Sequence, residues 1–284
     1  MHALSSAKPT RLRRPGRRVA GGARLDHPGF PRLAPVLILL PPSEGKTPAR
    51  RGRPLDLGSL SFPELTPLRE DAVRAVAAAS AEPGAPEVLG VSPNLHEEVE
   101  RNTRLLTGPA RVAADVYSGV LYKALDLPSL DAGARRRANR SIVVISALFG
   151  AVRLTDRIPA YRVHVCANVP GIGVLDRVWR PHLAPVLERA AGERGLVVDC
   201  RSTTYAAMWR PPAHIARRTV HVTVPGASHM AKHTRGLVTR DLVGREAPRT
   251  PEALADALSE RFTVTLTPPE RPGKAWQLAA TAKD

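Results

Sequence analysis

The sequence predicts an α/β or mixed α+β fold, on three observations. Short uninterrupted apolar runs, such as Val36–Leu40 and Ser141–Ser146, are bounded by Pro, Gly or polar residues and read as buried strands. Stretches with apolar residues three and four apart alternate with these runs, the order expected when helices flank a sheet. Of 284 residues, 43% are apolar, enough for a real core and too many for a wholly disordered chain. With 4% aromatic residues, that core must be mostly Ala, Val and Leu.

The elements follow in order. Residues 1–34 mix Gly, Pro and Arg without a period and read as a disordered basic extension, leaving 35–284 as the folded domain. Val36–Leu40 is the first strand, ended by Pro41-Pro42. A helix is expected over 63–81. Ser92-Pro93 reads as an N-cap with Pro at the first helical position, followed by Leu95, Val99 and Leu106 at helical spacing. A further helix is expected over 112–126 and a buried strand over 141–146. Leu175, Val178, Val186 and Leu187 have helical spacing, but Pro181 and Pro185 should break or kink that helix. Strands are expected at 196–199 and 219–224, helices at 228–243 and 251–260, and closing strands at 262–266 and 276–280. The 28 Pro predict many ends and few long helices.

Lys plus Arg is 42 and Asp plus Glu is 26, a formal charge of +16. Only six of those 42 are Lys, and the first 35 residues hold eight basic residues against Asp26. The remainder is still basic, and a basic face attracts polyanions such as nucleic acid. No apolar run approaches the ~20 residues a bilayer span requires, so a cytoplasmic protein without a membrane partner is expected. Cys166 and Cys200 are too few for a disulfide framework and read as two reduced, core-like thiols. The nine His form no H-E-x-x-H or C-x-x-C group; His229 and His233 lack a third ligand, so neither a metal nor a cofactor is expected.

Five segments can carry chemistry. Pro41-Pro-Ser-Glu-Gly-Lys-Thr47 ends a strand but lacks the first glycine of a phosphate loop. A strand-end turn still places polar groups in a cleft, and Glu44 and Lys46 are its candidates. In Ser146–Arg162, Arg153, Asp156, Tyr161 and Arg162 form a dense polar set. Arg forks suit phosphate and a Tyr face can carry a base; the alternative is an internal Arg–Asp brace. In Asp199–Tyr205, Ser202 should cap a helix, Arg201 sits at the junction, and Cys200 has no His partner. His229, Lys232, Arg235 and Arg240 share one face of a helix, with Met230 and Leu237 opposite, which reads either as a solvated face or as a phosphate-contacting helix. Val169–Gly173 reads as a plain Gly-x-Gly loop rather than a helix-flanked DNA hairpin.

Taken in order, these segments resemble the YaaA family of bacterial peroxide-stress-resistance proteins. The matching residues are the strand with Pro-Ser-Glu-Gly-Lys-Thr, Val116-Tyr-Ser-Gly119, Ala147–Asp156, Ile158–Arg162, the 199–205 element, and Lys232 with Arg235-Gly236. The resemblance covers the chain from about Val36 onward. It implies a single unusual domain with a central sheet and a basic cleft, DNA binding, and a role in limiting iron-linked oxidative damage. In a binding reading, Lys46, Tyr117, Arg153, Tyr161, Arg162, Arg201, Lys232, Arg235 and Arg240 contact DNA. In an enzyme reading, Glu44, Lys46 or Asp156 does acid–base work on a nucleic-acid base or a small anionic substrate in the same cleft. The sequence carries no signal for oligomeric state.

Overall fold

The computed structural model describes residues 36–226 and 228–283. The expected extension over 1–34 lies outside the described residues.

Val36–Leu40 forms β1, with all five residues buried. Ile142–Ser146 forms β2, Gly150–Arg153 β3, Leu196–Asp199 β4, Thr219–Thr223 β5, Phe262–Thr267 β6 and Trp276–Ala282 β7. They make one sheet in the order β6-β7-β5-β4-β1-β2-β3. β1 pairs in parallel with β2 on one side (Ile38 opposite Ile142) and with β4 on the other (Leu39 opposite Asp199). β4–β5 and β5–β7 are also parallel, while β3 and β6 add antiparallel edges. β1, β2 and β4, mostly apolar and buried along their whole length, are the central strands, as parallel pairing covered on both faces demands. The alternating burial of β6 marks an edge.

Thr66–Ser80 forms α1, Val120–Leu125 α2, Ala132–Ser141 α3, Leu175–Ala191 α4, Ser228–Gly244 α5 and Pro251–Ser259 α6. One continuous apolar core runs from Val36 to Ala280, with Trp179 and Phe149 among its largest fully buried side chains. Gly236 of α5 is required by packing. A Cβ there would lie 2.2 Å from the Leu121 carbonyl oxygen and 2.7 Å from the Ala124 Cβ, so only Gly lets α5 cross α2 this closely. No helix among the described residues is long and apolar enough to cross a membrane.

Several expectations are corrected. Pro181 and Pro185 do not break α4, which spans 17 residues. Both lie on its exposed face, so the carbonyls deprived of a donor can be satisfied by water. α5 also spans 17 residues, so long helices survive the proline content. The helix expected over 112–126 is instead a two-residue strand, Arg111–Val112, a short turn of helix, Ala113–Val116, and α2, separated at Tyr117-Ser118-Gly119. Ser92 and Ser202 stand at N-cap positions without a side-chain capping bond. Met230 is exposed rather than apolar-face core; the buried face of α5 starts at Thr234. Cys166 is exposed, and only Cys200 is core-like. The Gly-x-Gly loop forms a small hairpin between Asn168–Val169 and Gly173–Val174, with no helix before it.

Candidate functional site at the ends of the parallel strands

In an open parallel sheet, the carboxyl ends of neighbouring strands whose connections leave in opposite directions bound a crevice. Here that point is β1, from which the chain proceeds to β2 on one side and later to β4 on the other. The loop 41–47 leaves β1, Ser146 ends β2, Asp199 ends β4, and the start of α5 follows β5.

The loop after β1 is fixed by its neighbours. The Ser43 hydroxyl donates to the Gly45 carbonyl and accepts from the Ser118 N–H at 3.1 Å. Thr47 N–H donates to the Val116 carbonyl at 2.8 Å, and the Tyr122 hydroxyl to the Pro41 carbonyl at 2.8 Å. Gly119 is needed for this contact, because a Cβ there would lie 2.8 Å from the Ser43 Cβ. No helix follows the loop directly, so the phosphate-loop architecture is absent here.

Lys46 lies at the centre of the site. Its Nζ donates to the Ser43 carbonyl at 2.7 Å and the Glu44 carbonyl at 3.4 Å, and sits 4.2 Å from the Tyr161 ring centroid. Burial, then the Arg162 charge, press its ammonium down to about 7, while the Glu44 carboxylate pulls the other way. Beneath it runs a hydroxyl chain: Tyr161 to Ser146 at 2.7 Å and Tyr161 to Tyr117 at 3.3 Å. Burial pushes the Tyr161 phenol up to about 12 and raises Tyr117 as well, so both stay protonated donors. Ser146 Oγ also accepts the N–H groups of Leu148 and Phe149.

At the rim, the Glu44 carboxylate lies 3.7 Å from Arg162 and 3.9 Å from Lys232. Arg162 also donates to the Glu44 carbonyl at 3.0 Å. Its backbone is clamped by buried Asn102, which donates to the Arg162 carbonyl at 2.7 Å and accepts the Arg162 N–H at 2.9 Å. Beside Asn102 a groove of about 250 Å³ opens, lined by Arg50, Arg101 and Arg104 together with Pro48, Ala49, Pro159 and Ala160. Among the described residues, no acidic residue lines it. Among the described residues, none of these three guanidinium groups makes an ion pair.

Thus Glu44, Lys46, Tyr117, Tyr161, Arg162 and Lys232 come together. Others are committed elsewhere. Arg201 is fully buried, forked onto Asp199 by two 2.8 Å bonds and bonded to the Trp209 carbonyl at 2.9 Å, so it cannot reach a ligand. Burial alone would raise the Asp199 carboxyl; Arg201, with help from His221, outweighs it and holds the group well below the usual carboxylate range. Arg153 donates to the Arg140 carbonyl at 2.8 Å and stacks 5.3 Å from the Phe62 ring centroid. Asp156 accepts from the Ser61 N–H and hydroxyl and from the Arg153 backbone N–H, so it is buried as a brace of loop backbone rather than paired with a guanidinium. Arg240 caps the end of α2 through the Leu125 and Asp126 carbonyls. Arg235 donates to the Val222 carbonyl at 3.1 Å. Tyr117 and Tyr161 are 2% and 3% exposed and offer no open face for a base. Sequence reasoning missed Ser146, Asn102 and the three groove arginines; only Ser146, at a strand end, carried a positional signal.

The fold and site define an α/β protein with a lysine-centred crevice at the ends of its parallel strands, beside an arginine groove. The chain belongs to the YaaA family of peroxide stress proteins, whose profile, "Peroxide stress protein YaaA", matches residues 36–266. It is 48% identical over 253 residues to a UPF0246 protein of Streptomyces coelicolor, covering 86% of this chain and 97% of that protein. A UPF0246 protein of Corynebacterium efficiens is 39% identical over 238 residues, covering 81% and 95%. A Campylobacter jejuni protein is 26% identical over 223 residues, covering 77% and 89%.

Proposed function

We propose that this peroxide stress protein binds DNA through phosphate contacts with little sequence preference, and limits oxidative, iron-linked damage to the DNA it covers. The observation that carries the reading is the groove lined by Arg50, Arg101 and Arg104 without an acidic residue. Guanidinium forks with no partner among the described residues are suited to phosphate oxygens, and neutralising a phosphate releases counterions. The expected contacts are these three arginines with Lys232 and Arg162 at the rim. Arg153, Arg201 and Arg240 contribute stability instead.

The test is duplex binding as a function of salt. Arg50→Ala and Arg104→Ala should each reduce the magnitude of the log–log slope by about 0.9. Arg153→Ala and Arg240→Ala should lower the melting temperature and leave the slope unchanged. An unchanged slope in both groove variants overturns the reading. A second reading, catalysis in the same crevice, is favoured by one observation: an amine held at about 7 between a carboxylate and a guanidinium.

A further inference from the structure

We propose that Lys46 is an amine nucleophile for an aldehyde carried on a DNA backbone, forming an imine with the open-chain sugar of an abasic site. The inference rests on the DNA-binding reading and names the substrate that would use both the groove and the crevice.

Four observations lead to it. First, Lys46 is half-buried, and its amine faces two carbonyl oxygens, those of Ser43 and Glu44. A neutral amine has two N–H bonds, one for each carbonyl, which leaves its lone pair uncommitted. Burial and the Arg162 charge keep that neutral form populated near pH 7, the condition for an effective lysine nucleophile. Second, groove and crevice are continuous along the chain. Pro48 and Ala49 follow Lys46 closely, Pro159 and Ala160 precede Tyr161, and Arg101 adjoins the Asn102 that clamps Arg162. A backbone held by phosphates in the groove would lie against Pro48, Ala49 and Ala160, within three residues of Lys46 and Tyr161 in the chain. Third, the site offers no platform for a base: Tyr117 and Tyr161 are buried, and the Lys46 amine occupies the Tyr161 face. A sugar without its base suits that space better than an intact nucleotide. Fourth, the product imine is cationic when protonated, and the Tyr161 ring that now faces the ammonium at 4.2 Å would face that charge too.

The step balances without an oxidant or reductant. The Nζ lone pair adds to the C1′ carbonyl carbon, and the carbonyl oxygen takes a proton to give a carbinolamine. Its hydroxyl then leaves with a second proton as water, forming the C=N bond. Water reverses the step and releases the amine.

The experiment uses the full chain and a duplex bearing one aldehydic abasic site, made by excising uracil, in the presence of cyanoborohydride. Hydride reduction converts the imine to a stable secondary amine, which is read as a covalent protein–DNA band and located by peptide mass. The adduct is expected on Lys46. Lys46→Met and Lys46→Arg should each lose it by about tenfold or more, and Lys274→Ala, at an exposed lysine outside the site, should retain it. Binding to a tetrahydrofuran abasic analogue, which has no aldehyde, is measured in parallel. Binding to the analogue without an adduct on the aldehyde, or an adduct mapped only to other amines, overturns the inference and leaves DNA binding standing. Failure to bind either duplex overturns the DNA reading and this inference together. Because mapping is done on the unsubstituted chain, the outcome does not depend on how the variants fold.

Discussion

Leu39 of β1 and Asp199 of β4 lie opposite each other on adjacent strands, yet the two strand ends treat charge in opposite ways. At the end of β4, Asp199 and Arg201 are buried, paired by two 2.8 Å bonds, and further satisfied by backbone carbonyls. At the end of β1, the Glu44 carboxylate is three-quarters exposed, with its side chain 75% accessible, and reaches Arg162 and Lys232 only at 3.7 and 3.9 Å. The first arrangement is closed, holding its geometry for stability. The second leaves Glu44 and Lys232 open to solvent beside the half-buried Lys46 amine, where a ligand can use them. A basic residue in a strand-end motif is thus no guide to binding until its partner is known.

The largest effect should come from opening the closed end. Asp199→Ala leaves a buried guanidinium without its carboxylate, and a loss of about 3–5 kcal/mol is expected in urea unfolding. Glu44→Ala, at the exposed end, should cost less than about 1 kcal/mol. Similar losses from both would erase the contrast between the two ends.

An intermediate effect should appear in the pH dependence of stability. The Lys46 ammonium titrates at about 7 when folded and near 10.5 when unfolded. Between those values the unfolded chain binds more protons, so Lys46 makes stability rise with pH across that window, by at most about 1.4 kcal/mol per pH unit. Below pH 7 its penalty is fully present. Melting curves from pH 7 to pH 10 should therefore rise more steeply for the unsubstituted chain than for Lys46→Met. Parallel curves would show that the amine is not held in its neutral form.

The smallest effect concerns the thiols. Cys200 sits between Asp199 and Arg201, where burial pushes it up to about 12, with Arg235 opposing. Cys166 is exposed, although burial of part of its surroundings, then Asp176, raises it too. A thiol reagent should label Cys166 alone in the folded protein and Cys200 only after unfolding. Labelling of both in the native state would mean that the β4 end opens readily.

Much of the fold was legible in residue order. The runs 36–40, 141–146, 196–199 and 219–224 are apolar enough to be buried whichever neighbours they take, and each became a central strand within a residue of its expected bounds. The motif Pro41–Thr47 was legible as a strand-end turn for the same reason. The helix over 112–126 was misjudged because Val112, Val116 and Val120 fit a helical period, while the break at Tyr117–Gly119 comes from the Ser43 loop docking on that turn. Met230 was misplaced because periodicity identifies a face without saying where the core under it ends.

By itself, then, the sequence determined the class of fold, the central strands and the family, because burial of continuous apolar runs is a local property of composition. Which of the cations are left without an internal partner among the described residues was decided by the tertiary structure alone. Arg153, Arg201 and Arg240 have the same chemistry as Arg50, Arg101 and Arg104, but Arg153 meets an aromatic ring and Arg240 carbonyls brought from elsewhere in the chain, and Arg201 is sealed in the core with the Asp199 carboxylate two residues away. Lys46 owes its lowered ammonium to burial against Tyr161 and to the charge of Arg162, more than a hundred residues away in sequence. A guanidinium or an amine acquires its role from the distances to its partners, and those distances exist only once the strands have paired.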